Sequence, residues 1–194
     1  LASSKGHTAC AELLLGSGAS AVSVVADGNT ALLIAAHEGH ADLVQVLLNV
    51  GASTTVVDEE EETALMKAAA EGHLPVVNAL LEQDPRSIGQ HNRDQFTALH
   101  YAASVGHLTV VDALLAKGAD PRAADGEGRT ALVLAAMFGH AAIVARLLGA
   151  PGGVDGTVPA TKEEERLGLA AAQHEGHDEA ASVLEKAIKE RRAR

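Results

Sequence analysis

Apolar residues along this chain recur at helical rather than strand spacing. In the stretch from Thr97 to Gly106, Leu99 and the pair Ala102-Ala103 fall on one face of a short helix. In the stretch after His107, Val110-Val111 and Leu114-Leu115 are spaced four apart and give a second helix a wide apolar stripe. The same two-part arrangement returns along the chain, so the pattern predicts a series of helix pairs with no strands of comparable length.

The period is fixed, and a fixed period decides the architecture. Gly-His stands at Gly6-His7, Gly39-His40, Gly72-His73, Gly106-His107, Gly139-His140 and Gly176-His177, with successive spacings of 33, 33, 34, 33 and 37 residues. Nine residues before each of the four middle glycines a Thr-Ala-Leu begins, at Thr30, Thr63, Thr97 and Thr130. Alanine pairs precede these glycines, and leucine pairs follow at 47–48, 80–81, 114–115 and 147–148. Threonine at a helix start caps a free backbone N–H. The alanines let a neighbouring helix approach closely. Glycine supplies a backbone conformation that other residues resist and so ends the first helix. One such helix pair cannot cover its own apolar face, so neighbours must stack.

Residues 125–150 read DGEGRTALVLAAMFGHAAIVARLLGA, and residues 92–120 read NRDQFTALHYAASVGHLTVVDALLAKGAD. These stretches closely resemble the ankyrin repeat. The resemblance covers residues 1–150 strongly and 162–185 more weakly, with Ala in place of the family's Pro after each Thr. This Thr-Ala-Leu variant is similar to large protozoan ankyrin arrays. The resemblance implies an all-α ankyrin-repeat solenoid, helix–turn–helix repeats joined by short turns or fingers. The expected division is a partial repeat at 1–24, repeats at 25–57, 58–91 and 92–124, a fifth at 125–161 with an extended finger, and a divergent C-terminal capping repeat at 162–194. Leu1 aligns with Ile34 in mid-helix, so an excised piece of a longer chain is expected.

The acidic run DEEEE at 58–62 now has a place. Asp58 opens a repeat as its turn aspartate, Glu59 and Glu60 lie at the turn tip, Glu61 replaces the usual Gly, and Glu62 precedes Thr63. The run is therefore a finger of an ordered array. Negative charge beside a helix N-terminus is stabilising by about 0.3–1 kcal/mol per charge, against which the carboxylates repel one another. A solvated turn and an acidic contact for a basic partner both remain open. Calcium loops alternate their oxygen ligands around a turn glycine, and this run does neither. Paired carboxylates for acid–base work need unequal environments in a pocket, and nothing here supplies them.

Charge and composition narrow the function. The net charge is −11, yet residues 186–194 carry +4 and the remainder −15, with ten basic against 25 acidic residues. An acidic body disfavours nucleic acid and anionic membranes and favours basic protein surfaces. The basic end is expected to complement the dipole of a last helix from Asp178, with Ala180, Ala181, Leu184 and Ile188 inward. Six of the ten histidines belong to the Gly-His pairs and are expected to bond backbone near the turns. With one cysteine, Cys10, and no short ligand pair, no metal or cofactor is expected. Cys10 stands in register with Leu43, Val76, Val110 and Ile143 and is expected to be buried. The sequence shows no apolar span long enough to cross a membrane and no leader, so a reducing cytoplasmic setting is expected. No nucleophile arrangement or phosphate loop stands out, including in GAPGGVDG, and an enzyme is not expected. Two stretches break the period: LLEQDPRSIGQHNRD, where Asp84-Pro85 fix a turn, and the Gly- and Pro-rich start of 149–177.

In the family, recognition uses the turn tips and the exposed concave side of the first helix. Carried onto this chain, those positions are Ala26, Asp27, Asn29, His37 and Glu38 in the second repeat, then Glu59, Glu60, Glu62, Ala70 and Glu71. They continue as Arg93, Asp94, Phe96, Ser104 and Val105, and as Gly126, Glu127, Arg129, Met137 and Phe138. Acidic character gathers in repeats two and three, apolar character in four and five. Phe96 and Phe138 are both on presumed exposed positions, with Tyr101 beside them. They serve either as a contact patch or as filler across a repeat boundary. The expected function is non-catalytic recognition of a protein or peptide with basic residues by a monomer. Glu59, Glu60, Glu62 and Glu71 would steer the partner, and Phe96, Tyr101, Met137 and Phe138 would anchor it. The alternative is a regulatory or targeting segment of a larger enzyme, such as a kinase.

Overall fold

The computed structural model describes residues 5–18, 29–149 and 161–193. The Gly- and Pro-rich stretch 150–160, Ala26, Asp27 and the first four residues lie outside the described residues. The helices are α1 (Thr8–Gly16), α2 (Ala31–His37), α3 (Ala41–Asn49), α4 (Ala64–Ala70), α5 (Leu74–Gln83), α6 (Ala98–Val105), α7 (Leu108–Ala116), α8 (Ala131–Met137), α9 (Ala141–Leu147), α10 (Lys162–Glu175) and α11 (Asp178–Arg192). They stack in two layers. The first helices α2, α4, α6, α8 and α10 pack side by side in chain order, and α1, α3, α5, α7, α9 and α11 form the second layer. This is an all-α solenoid whose core runs along its length between the layers.

The periodic residues build that core as their spacing requires. Ala35, Ala36, Ala68, Ala69, Ala102, Ala103, Ala135 and Ala136 are fully buried where first helix meets first helix. Leu47, Leu80, Leu114 and Leu147 are buried from the second layer, each side chain contributing about 1.5–3 kcal/mol by leaving water. Helix α8 is buried from Ala131 through Ala136, because α6 and α10 flank it and α9 covers its back. Gly168 lets α10 come close: a Cβ there would lie 3.5 Å from both Ala136 and Leu184.

Thr30 and Thr63 cap α2 and α4 through the N–H groups of Leu33 and Met66. Each glycine of a Gly-His pair has a left-handed backbone, with φ +77° at Gly39 and Gly72. All but Gly176 also hold the next repeat. A Cβ on Gly39 would sit 2.6 Å from the ring of His73, and one on Gly72 would sit 2.6 Å from that of His107. The same rings reach back to backbone, His73 Nε2 to the carbonyl of His37 at 3.0 Å and His107 Nε2 to that of Ala70 at 2.9 Å. His140 does likewise with Ser104 at 2.9 Å. Three of the six histidines expected to bond backbone near the turns, His73, His107 and His140, do so between repeats, whereas His40 Nε2 is buried without a hydrogen-bond partner among the described residues.

Asp84 caps a 3-10 turn at Pro85–Gly89 by accepting from Arg86 N–H, which absorbs the irregular stretch after α5. At the far end, Ala180, Ala181 and Leu184 are buried and Ile188 is half-buried. Lys189, Arg191 and Arg192 close the last turn of α11. Arg191 does more than complement a dipole: it pairs at 2.8 Å with Glu165, which is buried on α10. Burial raises the Glu165 pKa, with Arg191 opposing.

One expectation fails. Cys10 is exposed, although Leu43, Val76, Val110 and Ile143 in the same register are buried. Those residues lie between two layers, whereas α1 packs on α3 with no described first helix beneath it. Leu13 and Leu14 are exposed on α1 for the same reason.

Candidate interaction surface

The turns between repeats are two-residue-wide fingers built from one carboxylate or amide. Asp58 Oδ1 accepts from the N–H of Glu60 at 3.1 Å and of Glu62 at 2.9 Å. Asn92 Oδ1 accepts from Asp94 at 3.0 Å and Phe96 at 2.9 Å, and Asp125 Oδ1 from Glu127 at 2.9 Å and Arg129 at 2.8 Å. Short antiparallel bridges close each finger, Val57 to Thr63, His91 to Thr97 and Ala124 to Thr130. The tight reversal demands a left-handed residue. Gly128 fills that place at φ +79°, but Glu61 and Gln95 occupy it at φ +64° and +62°. The acidic run is thus an ordered finger, and Glu61 stands in a glycine's position.

The finger chemistry is partly spent inside the molecule. Lys67, one turn into α4, reaches Asp58 at 2.5 Å and Glu62 at 3.1 Å. Glu62 also accepts a short hydrogen bond from the Tyr101 hydroxyl, which in turn accepts from Asn92 Nδ2 at 3.0 Å. A polar chain therefore runs from the turn residue of one repeat to that of the next. Burial pushes the Asp58 carboxyl up, but bonds from Lys67 and from the N–H groups of Glu62 and Glu60 outweigh it and lower its pKa. Burial pulls Lys67 down, and Asp58 and Glu62 more than restore it. The Tyr101 pKa rises, first through burial and then through Glu62. Arg93 sits across the fingers at 3.3 Å from Glu61, and Arg129 pairs with Asp125 at 2.7 Å and Glu127 at 2.9 Å.

Several expected site residues take part in these contacts. Glu62 and Tyr101 are half-buried and bonded to each other, and Arg93 and Arg129 are matched by carboxylates. Glu59, Glu60 and Glu71 are exposed. Phe96 is half-buried against His100 and Tyr101, with ring centroids 5.5 and 5.4 Å away. Met137 is half-buried, while Val105 is 51% and Phe138 50% exposed. Lys67 was missed by sequence reasoning. Its signal was its register: it takes the place that Ile34, Tyr101 and Leu134 hold in the other repeats. His100 is a structural residue. Its Nδ1 accepts from Thr97 N–H at 3.1 Å, so Nε2 carries the proton given to the Ala123 carbonyl at 2.9 Å. Burial, partly opposed by that carbonyl, lowers its pKa.

A family model for ankyrin repeats, three copies long, matches residues 1–89, 47–125, 82–160 and 99–191. The chain belongs to the ankyrin repeat family. Ankyrin repeats are generally protein–protein interaction modules, and the family is typically non-catalytic. Comparison with curated protein sequences finds no match. Among the described residues no three His, Cys, Asp or Glu side chains gather to hold a metal ion, and no helix is long and apolar enough to cross a membrane.

Proposed function

We propose that this ankyrin array is a monomeric, non-catalytic recognition module that binds a protein partner bearing basic residues, inside the cell. Its binding face is the exposed, concave side of the first-helix layer together with the finger tips. The chain divides into the repeats given above, with 162–194 as the cap. The observation that carries this reading is the side-by-side exposure of Val105 and Phe138 on α6 and at the end of α8. The solenoid leaves these two in water beside Met137, with the exposed Glu59, Glu60 and Glu71 to one side; the other large exposed apolar residue of the first-helix layer, Leu167, lies on α10. Apolar anchors set residence time, and the acidic residues raise the association rate and select the partner. Phe96, Tyr101, Glu62 and Arg129, all half-buried, shape the face from behind through the bonds already described, and the exposed Arg93 belongs to the face itself.

The test is an affinity capture from lysate, comparing wild type with a variant carrying Glu59→Gln, Glu60→Gln, Glu71→Gln and Phe138→Ala. All four positions are exposed, so both proteins should unfold at the same temperature. A protein captured by wild type and lost by the variant supports the reading. Equal capture by both places the interface elsewhere.

A further inference from the structure

The residue just before the left-handed glycine of the last five Gly-His pairs is Glu38, Glu71, Val105, Phe138 and Glu175 in turn, and each is exposed; the first pair, Gly6-His7, follows the exposed Lys5, ahead of the described first helices. Their helices α2, α4, α6, α8 and α10 pack side by side in that order, so the five form one row across the first-helix layer. The row reads acid, acid, apolar, apolar, acid. Beside it runs a second row, His37, Ala70, Ser104, Met137 and His174, from the preceding position on each helix. His37 lies 3.9 Å from Glu71, and His174 lies 2.8 Å from Glu175.

Neighbouring packed helices stand about 8–10 Å apart, and that sets the step of the row. A polyproline-II chain presents every third side chain to the same side, with a step of about 9.3 Å. A β-strand presents every second side chain, at about 6.7 Å, and an α-helix brings a side chain back to one face every 5.4 Å or so. Only the first of these keeps phase with the row for its whole length.

We infer that, resting on the recognition reading above, the row binds an extended partner segment whose contact residues recur every third position. Facing Glu38, Glu71, Val105, Phe138 and Glu175 in order, they are basic, basic, apolar, apolar and basic. The two apolar residues settle against Val105, Phe138 and Met137, and the basic residues on either side meet the glutamates. Because the charge pattern is not symmetrical, the segment has one preferred register and direction.

The test uses fluorescence anisotropy with labelled peptides of the form Lys-x-x-Lys-x-x-Leu-x-x-Leu-x-x-Lys, x being Pro or Ser, and its reverse. Controls of the same composition place the five residues at every second or every fourth position. One of the two third-position peptides should bind at least tenfold more tightly than either control, and Glu71→Gln and Phe138→Ala should each weaken it about tenfold. Val105→Glu should shift preference to a peptide with Lys in place of the first Leu, while leaving the unfolding temperature unchanged. The proposal is overturned if no third-position peptide binds, if spacing has no effect, or if Val105→Glu does not change the preference. It is also overturned if the protein forms a concentration-dependent dimer that Phe138→Glu abolishes, since the row would then seat a second copy. If spacing has no effect but the captured partner is still lost by the face variant, the row's pattern fails and the recognition surface stands. If capture is unaffected by the variant, both fail.

Discussion

The fingers at 58–62 and 92–96 have one backbone and two chemistries. In each, the first residue caps the turn through Oδ1, the fourth is left-handed without being glycine, and the first and fifth pair across the turn, Asp58 N to Glu62 O at 3.2 Å and Asn92 N to Phe96 O at 3.0 Å. In the first finger, the fifth residue, Glu62, meets Lys67. In the second, the ring of Phe96 packs at a tilt of 60° against Tyr101, which occupies the register of Lys67. The turn is specified by few positions, and the remaining ones are free to carry charge or rings. That freedom lets an array keep its shape while its surface changes from repeat to repeat.

The largest effect should come from Asp58→Ala, which orphans two backbone N–H groups and removes the close partner of Lys67. A loss of about 3 kcal/mol is expected in urea unfolding. Asp58→Asn imitates Asn92, keeps the turn and loses only the charge, so it should cost about 1 kcal/mol. Equal losses would mean that the turn cap contributes little.

The bond joining the fingers comes next. A double-mutant cycle on Glu62→Gln and Tyr101→Phe should return a coupling of about 1 kcal/mol. A coupling near zero would make the two fingers independent.

The fingers should also respond to pH in different ranges. His100, in the repeat with Phe96, has its pKa lowered below the ordinary 6.5, whereas Met66 takes its register in the repeat with Glu62. Its stability contribution is fully present above pH 6.5 and is lost as pH falls from there through its folded value. Asp58 is lowered below the ordinary 3.8, so its contribution is complete above that value and is lost as pH falls through the lower folded one. The stability gap between wild type and His100→Met should therefore narrow between pH 7.5 and 5.5, whereas that for Asp58→Ala should hold over the same span. Urea midpoints at the two pH values check both.

The smallest effect should be a gain. Gln95→Gly relieves a left-handed residue and should stabilise by about 0.5–1 kcal/mol. Glu61→Gly should gain less, because it also gives up Arg93. The order of the two midpoints is the measurement.

The fold was legible because its determinants repeat. Thr-Ala-Leu, the alanine pairs and Gly-His each state the same constraint several times, and the structure places those residues in caps, helix contacts and inter-repeat locks. The turn aspartate, and Glu61 in a glycine's place, followed from alignment against their counterparts. What the sequence hid was pairwise and specific to one place. Lys67 on two carboxylates, Glu62 on Tyr101 and Arg191 on Glu165 join residues that no period relates. The exposure of Cys10 was hidden for the opposite reason: its register is regular, but its surroundings are not.

The central claim is that the first-helix face recognises a partner. A photo-cross-linking amino acid at position 138 tests it most directly, beside the same group at Glu82, exposed on the second-layer helix α5. Irradiation in lysate should give a discrete adduct from position 138 that excess unlabelled wild type competes away, and none from position 82. An adduct from position 82 alone, or none that wild type competes, would contradict the account.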